Sequence, residues 1–138
     1  MKPVLQLFPA LTLLVILFSS CNNYGDKVKK EHIEVYYKKG ITKEMAQRTA
    51  NFLYSLDTSF NVNSNQTKSI QVFKKSDTII FRMIIPMESV STINENNFYA
   101  LANLLSDSVY HRAPVNIDLT DTAFNSLRVL PYKKISLP

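Results

Sequence analysis

The chain has 138 residues, 46% of them hydrophobic and 20% charged, which gives room for one domain with one continuous core and argues against a two-domain enzyme. Its 2 glycines argue against phosphate-cradling loops, and its single cysteine excludes an internal disulfide framework and any zinc cluster built on several thiolates. With 16 Lys+Arg against 11 Asp+Glu the formal net charge is +5, the balance of a mildly basic globular domain.

Met1 and Lys2 give a short positive start, and the run Val4 to Phe18 (VLQLFPALTLLVILF) is apolar apart from Gln6, Pro9 and Thr12. A permanent span needs about 20 apolar residues to cross roughly 30 Å of hydrocarbon. This run is shorter, carries a proline and ends in Ser19 and Ser20, so residues 1–20 read as a signal peptide. The stretch Leu17-Phe18-Ser19-Ser20-Cys21 resembles the lipobox of bacterial lipoproteins, in the relaxed form typical of the Bacteroidota, with Phe18 where Leu is usual. The resemblance implies cleavage before Cys21, lipid on its thiol, palmitate among the acyl chains, and a mature protein anchored in the cell envelope. Each buried CH₂ of such chains contributes about 0.8 kcal/mol, and two or three chains hold far more firmly than one. Asn22, rather than Asp, follows the cysteine, which favours the outer membrane.

Residues 21–31 then form the lipidated cysteine and a tether. Asn22 to Glu31 (NNYGDKVKKE) has no apolar periodicity, and Lys27, Lys29 and Lys30 lie close enough to the anchor to meet anionic headgroups. A single domain is expected over 32–138. Ile33, Val35 and Tyr37 alternate with Glu34, Tyr36 and Lys38, which predicts a half-buried strand over 32–38. Thr42 is a good N-cap for a helix over 43–56 whose stripe is Met45, Thr49, Phe52, Leu53 and Leu56. A loop rich in Asn and Ser follows, then strands over 69–74 and 78–85 joined by the turn Lys75-Ser76-Asp77. A second helix begins after Asn94 with the stripe Phe98, Leu101, Ala102, Leu105 and Val109, and stops before Pro114. Val115, Ile117 and Leu119 predict a fourth strand. Asp121 is placed to cap one short helical turn, and Leu127 to Leu130 read as an extended tail.

The order β-α-β-β-α-β predicts an α+β, ferredoxin-like fold: a four-stranded antiparallel sheet with both helices on one face and a short C-terminal extension. Its open face would carry Tyr36, Phe73 or Gln71, Arg82, Asn116 and Asp118, depending on register.

Little of the polar inventory points to chemistry. His32 and His111 are the only imidazoles, neither has a partner at metal spacing, and Cys21 is taken by lipid, so no metal and no cofactor is expected. For His111 the expected role is a cation at a helix C-terminus. No G-x-S-x-G elbow occurs, and the pairs Asp118/Asp121 and Glu88/Glu95 read as turn and cap residues, so no catalytic residue is assigned. The strand Thr78 to Ile85 lacks the glycine and aromatic pattern of RNA-recognition sheets, and an exported protein meets little nucleic acid. Asp77-Thr78-Ile79, Asp107-Ser108-Val109 and Asp121-Thr122-Ala123 resemble the acceptor motif of Bacteroidota periplasmic O-glycosylation.

Charge is uneven. Residues 27–48 are rich in Lys and Arg, whereas 95–121 hold Glu95, Asp107, Asp118 and Asp121 against Arg112. This pattern suits a polarised docking surface or head-to-tail self-association, with Tyr36, Lys38, Lys39, Lys43, Arg82 and Asp118 as the candidate binding face. The sequence therefore points to a membrane-anchored envelope lipoprotein that acts as a non-enzymatic binding or accessory module for an envelope protein or cell-wall component. Two alternatives stand beside it: a small enzyme or enzyme inhibitor acting on an envelope substrate, and a subunit that joins by strand addition at a sheet edge.

Overall fold

Two polar side chains start the helices. In a computed structural model that describes residues 23–61 and 65–136, Thr42 Oγ1 accepts from the Met45 amide at 3.1 Å and opens α1 (Lys43–Ser59), and Asn94 Oδ1 accepts from the Asn96 amide at 3.1 Å and opens α2 (Glu95–Ser108). Around them the alternating segments form β1 (Asp26–Lys30), β2 (Ile33–Tyr37), β3 (Lys68–Lys75), β4 (Thr78–Ile84), β5 (Val115–Thr120) and β6 (Ser126–Leu130). A 3₁₀ turn, Met87–Ser89, follows β4.

The four-stranded antiparallel, ferredoxin-like sheet expected from the sequence does not form. The sheet has six strands in the spatial order β1-β2-β3-β4-β5-β6. Three antiparallel hairpins (β1β2, β3β4, β5β6) are joined by two parallel pairings, β2 with β3 across α1 and β4 with β5 across α2. β1 comes out of the segment read as tether, and β6 out of the segment read as a tail. The domain thus starts ahead of residue 32. The short helical turn expected after Asp121 is instead a side-chain-capped turn, with Asp121 Oδ1 accepting from the amides of Ala123 and Asn125, both at 2.9 Å.

The period of two puts Val28, Ile33, Val35, Ile70, Val72, Ile79, Phe81, Val115, Ile117, Leu119 and Leu130 on one face, where they form one core with Ala46 and Ala50 of α1 and Ala102 and Leu105 of α2. Val35, Val72, Phe81, Leu105 and Leu119 are fully buried, each worth about 1.5–3 kcal/mol relative to exposure. Both helices therefore cover the same face. On it, Thr49 Oγ1 of α1 lies 2.7 Å from the hydroxyl of Tyr110, just beyond α2.

This arrangement has a topological consequence. β2 and β3 run one way, β4 and β5 the other, and both crossovers step in the same direction across the sheet. With both helices on one face, the two crossovers must have opposite hands. Two right-handed crossovers over one face would require interleaved strands, the ferredoxin-like order.

Candidate functional site

The other face of the sheet is built from the polar residues of the same alternation. Register sets Tyr36 opposite Gln71, Gln71 opposite Arg82 and Arg82 opposite Asp118, one row across four strands. From Gln71 to Asp118 the row is linked by side-chain hydrogen bonds. Gln71 Nε2 donates to the Tyr24 carbonyl at 3.0 Å, Arg82 Nη1 donates to Gln71 Oε1 at 3.1 Å, and Arg82 Nε donates to Asp118 Oδ2 at 3.0 Å. Ser126 Oγ donates to Asp118 Oδ1 at 2.5 Å, so each carboxylate oxygen has a donor. The Arg82 guanidinium also lies 4.7 Å from the centroid of the Phe73 ring.

An aromatic cap covers part of this row. Tyr24 and Phe124 meet edge to face at 5.2 Å, Tyr24 and Tyr36 at 5.7 Å, and Tyr36 and Phe124 at 6.0 Å. Tyr36 stands on β2 and Phe124 follows β5, three strands away, which on a flat sheet is roughly 14 Å. Their contact means that the β5–β6 turn folds back across the open face, helped by the positive φ of 60° at Phe124. Beneath the cap, Gln71 is 2% and Asp118 3% exposed. Asp118 is thus a buried structural carboxylate rather than part of an exposed binding face, whereas Arg82 is partly exposed.

The lysines expected on that face lie elsewhere. Lys38 and Lys39 follow β2, Lys43 opens α1, and all three are exposed. They stand at the end of the sheet where β1 begins, here called the proximal end. Backbone bonds from Lys38 N to the Val72 carbonyl (3.0 Å) and from Lys74 N to the Lys39 carbonyl (2.8 Å) set the β2 exit beside the end of β3. The Ile79 amide donates to the Pro114 carbonyl at 2.8 Å, which brings the segment after α2, with Arg112, to the same end. Lys74, Lys75 and Arg112 therefore join Lys38, Lys39 and Lys43, a grouping hidden in the sequence because these residues come from three separate segments. None of the six forms an ion pair among the described residues. An open depression of about 430 Å³ lies there between Asn23, Gly25, Asp26, Tyr37, Lys38, Lys39 and Ile41. Gly25, at φ +98°, lets the chain pass close to β2, since a Cβ there would sit 2.3 Å from the Tyr37 carbonyl oxygen.

The distal end has a different character. Glu31, Asp57, Glu88, Glu95 and Asp121 lie on its turns and helix ends. His32 Nε2 is 2.7 Å from Asp57 Oδ2, and Lys68 Nζ reaches both oxygens of Asp57. Burial by itself pushes the Asp57 carboxyl up, but the hydrogen bonds from Lys68 and His32, with their charges, hold it below the ordinary carboxylate range. His32 Nδ1 is buried with no hydrogen-bond partner among the described residues. Beside this cluster, a crevice of about 150 Å³ runs between the helices over Ile33, Ile70, Phe81 and Met83, with Leu53, Leu56 and Leu101 above and Asp57 and Lys68 at its rim. The His32–Asp57 pair, 25 residues apart, joins a strand start to a helix end and left no local signal in the sequence.

Cys21 and residues 1–20 lie outside the described residues. His111 is exposed in the turn after α2. No group of three His, Cys, Asp or Glu side chains is placed to hold a metal ion among the described residues, and no helix among them is long and apolar enough to cross a membrane.

Over residues 27–130 the chain matches the model of the AF_1994_N family, described as a family N-terminal domain. The chain belongs to this family. The matched span runs from the second residue of β1 to the last of β6, so the family domain and the six-stranded sheet coincide. No curated protein and no solved structure matches the chain.

Proposed function

We propose that the protein is a lipid-anchored envelope lipoprotein whose domain works as a non-enzymatic binding module. The observation that carries this reading is the closure of the open-face row. Asp118 and Arg82, the charged groups of the candidate face that stand on the sheet, bond to each other and to Gln71 and Ser126, with the carboxylate buried. A carboxylate with both oxygens engaged and no route to solvent is poorly placed as an acid, base or nucleophile. What the surface offers instead is charge and shape at its two ends, the material of recognition.

The anchor half of the reading rests on the lipobox-like LFSSC, and the orientation that an anchor would impose rests on the position of Asn23. Asn23 is two residues from Cys21 and lies at the proximal end, so a lipid on Cys21 would turn that end to the bilayer and present the distal end to partners. Mass spectrometry of the mature N-terminal peptide tests the anchor: diacylated or triacylated Cys21 is expected, and a free thiol or an intact Met1 start would overturn it. Crosslinking in intact cells with capture through a C-terminal tag tests the binding role, with an envelope protein or cell-wall fragment expected. Turnover of an envelope substrate by the purified protein, abolished by Asp118→Asn in a chain that still folds, would replace it with the enzyme reading.

A further inference from the structure

Cations outnumber carboxylates at the proximal end of this domain, although Asp26, Glu44, Asp77 and Asp107 are exposed there too, and carboxylates are in excess at the distal end. Six exposed cations, Lys38, Lys39, Lys43, Lys74, Lys75 and Arg112, crowd the proximal end without an ion pair among the described residues. The distal end carries an excess of carboxylates, and its Lys68 and Arg128 are already paired to Asp57 and Glu95. These cations, gathered from three segments and unpaired among the described residues, outnumber the carboxylates beside them and form a surface with a net preference for anions.

We propose that this proximal end docks flat on the anionic headgroups of the bilayer that carries the anchor. The inference deepens the lipoprotein reading and rests on it for distance. From Cys21 to Asn23 the chain spans at most about 7 Å, shorter than the Debye length of about 8 Å at physiological ionic strength. A lipid on Cys21 thus brings the start of this end within about one Debye length of the surface, where the negative potential is reduced but still acts. The end surrounds its open depression with short connections. It consists of short turns, the Lys38–Thr42 connection, the Ser76-Asp77 hairpin and the segment after α2, and the chain enters among them through Gly25. Docking in this way stands the strands upright on the membrane and points the crevice, Phe60 and Met87 away from it; these two side chains are 75% and 67% exposed. The lysines of β1 read from the sequence as headgroup contacts lie along an edge strand, with Lys30 at the distal end, so the headgroup contact passes to another set of residues.

The test uses the chain as purified from its membrane, labelled with a fluorescent donor at Ser76→Cys (proximal) or at Met87→Cys (distal), with an acceptor in the headgroup layer. Vesicles of phosphatidylcholine alone are compared with vesicles that also contain phosphatidylglycerol. Transfer from the Ser76→Cys label is expected to rise about twofold or more in the anionic vesicles. Transfer from the Met87→Cys label is expected not to rise. The gain should vanish between about 0.1 and 1 M salt, as the Debye length falls from roughly 10 to 3 Å. It should also vanish in a chain with Lys38, Lys39, Lys43 and Lys75 all changed to Glu. The matching set of Gln substitutions, milder toward folding, should lose most of it. Equal transfer in both vesicle types, a gain that survives high salt, or a gain retained after charge reversal would overturn the proposal. So would salt-sensitive binding of polyglutamate without any vesicle effect, which would assign the surface to an acidic protein. A mass measurement on the same sample reports the lipid on Cys21 separately. If it is missing, the lipoprotein reading fails, while the vesicle arms still decide the surface, because contact at Ser76 with anionic lipid needs no acyl chain.

Discussion

Arg82 and Asp118 face each other across the parallel β4–β5 pair, Nε to Oδ2 at 3.0 Å, and the carboxylate is 3% exposed while the guanidinium side chain keeps 28% of its surface. The two halves of this bond are not equivalent. Removing the arginine strands a charge beneath Tyr24 and Phe124, whereas removing the charge of Asp118 leaves Arg82 able to reach water.

Arg82→Met is therefore expected to cost about 3 kcal/mol, the lower end of the range for breaking one side of a buried pair. Asp118→Asn in the Arg82→Met background should recover at least half of that loss, because the orphaned charge is gone. Urea denaturation midpoints at pH 7 measure both. A double variant no more stable than Arg82→Met would mean that Asp118 is not the group left stranded.

The elements of this fold were largely legible, and their assembly was not. Thr42 and Asn94 cap the helices as their side chains suggest, and Phe98, Leu101, Ala102, Leu105 and Val109 do line the inner side of α2. β1 was hidden because its residues, DKVKK, bury only Val28; an edge strand is wet on one flank and its alternation is too thin to register. β6 was hidden by a register shift after Leu119 and by Val129, left exposed on the outer flank. The strand order failed for a different reason. Local pattern gives β-α-β units, the handedness rule then selects interleaved strands, and this chain keeps its strands sequential at the cost of one crossover of the uncommon hand. Of the candidate face, Tyr36, Arg82 and Asp118 share a row because period-two alternation places them there. Lys38, Lys39 and Lys43 leave it because they follow the strand, beyond the reach of that alternation.

Tyr110 joins the helices through its hydroxyl. Thr49 Oγ1 already donates to the Met45 carbonyl at 2.8 Å, so the phenol is the donor in the 2.7 Å contact. Tyr110→Phe should cost about 1 kcal/mol, since Thr49 keeps its other bond. Burial pushes the phenol well above its ordinary value of 10.0, with the Thr49 bond opposing only in part. A raised value in the folded state means that the contribution is full below about pH 10 and falls as pH rises past it, because the unfolded chain releases the proton first. Stability measured between pH 9 and 11 should fall less steeply in Tyr110→Phe than in the wild type.

Asp57 carries the opposite sign. Burial raises it, but the bonds from Lys68 and His32 outweigh that and leave it lowered, so its contribution is present above the unfolded value near 3.8 and is lost as pH falls through the folded one. Asp57→Asn should cost about 2 kcal/mol at pH 7, the scale of a charge-assisted hydrogen bond. Its urea midpoint should also decline less than that of the wild type between pH 5 and pH 2.5. Parallel declines would remove Asp57 from the acid response.

The boundary of the domain gives the last prediction. Asp26 to Lys30 pair with Ile33 to Tyr37 along the full length of β2, and Val28, opposite Val35, closes the core under α1. A chain starting at Ile33 would lose that ladder, uncover Val35 and turn IEVYY into an exposed edge, the kind of flat apolar strand that pairs with copies of itself. Burial of Val28 alone is worth about 1.5–3 kcal/mol, so this chain should be destabilised by at least that much and should aggregate. A chain starting at Asn23 keeps β1, the Gly25 turn and the Tyr24 carbonyl that holds Gln71, and should unfold at the same urea concentration as the full chain. Comparing the two by urea titration and light scattering decides the matter. Equal stability and solubility would return Asn22 to Glu31 to the role of a tether and remove β1 from the folded unit.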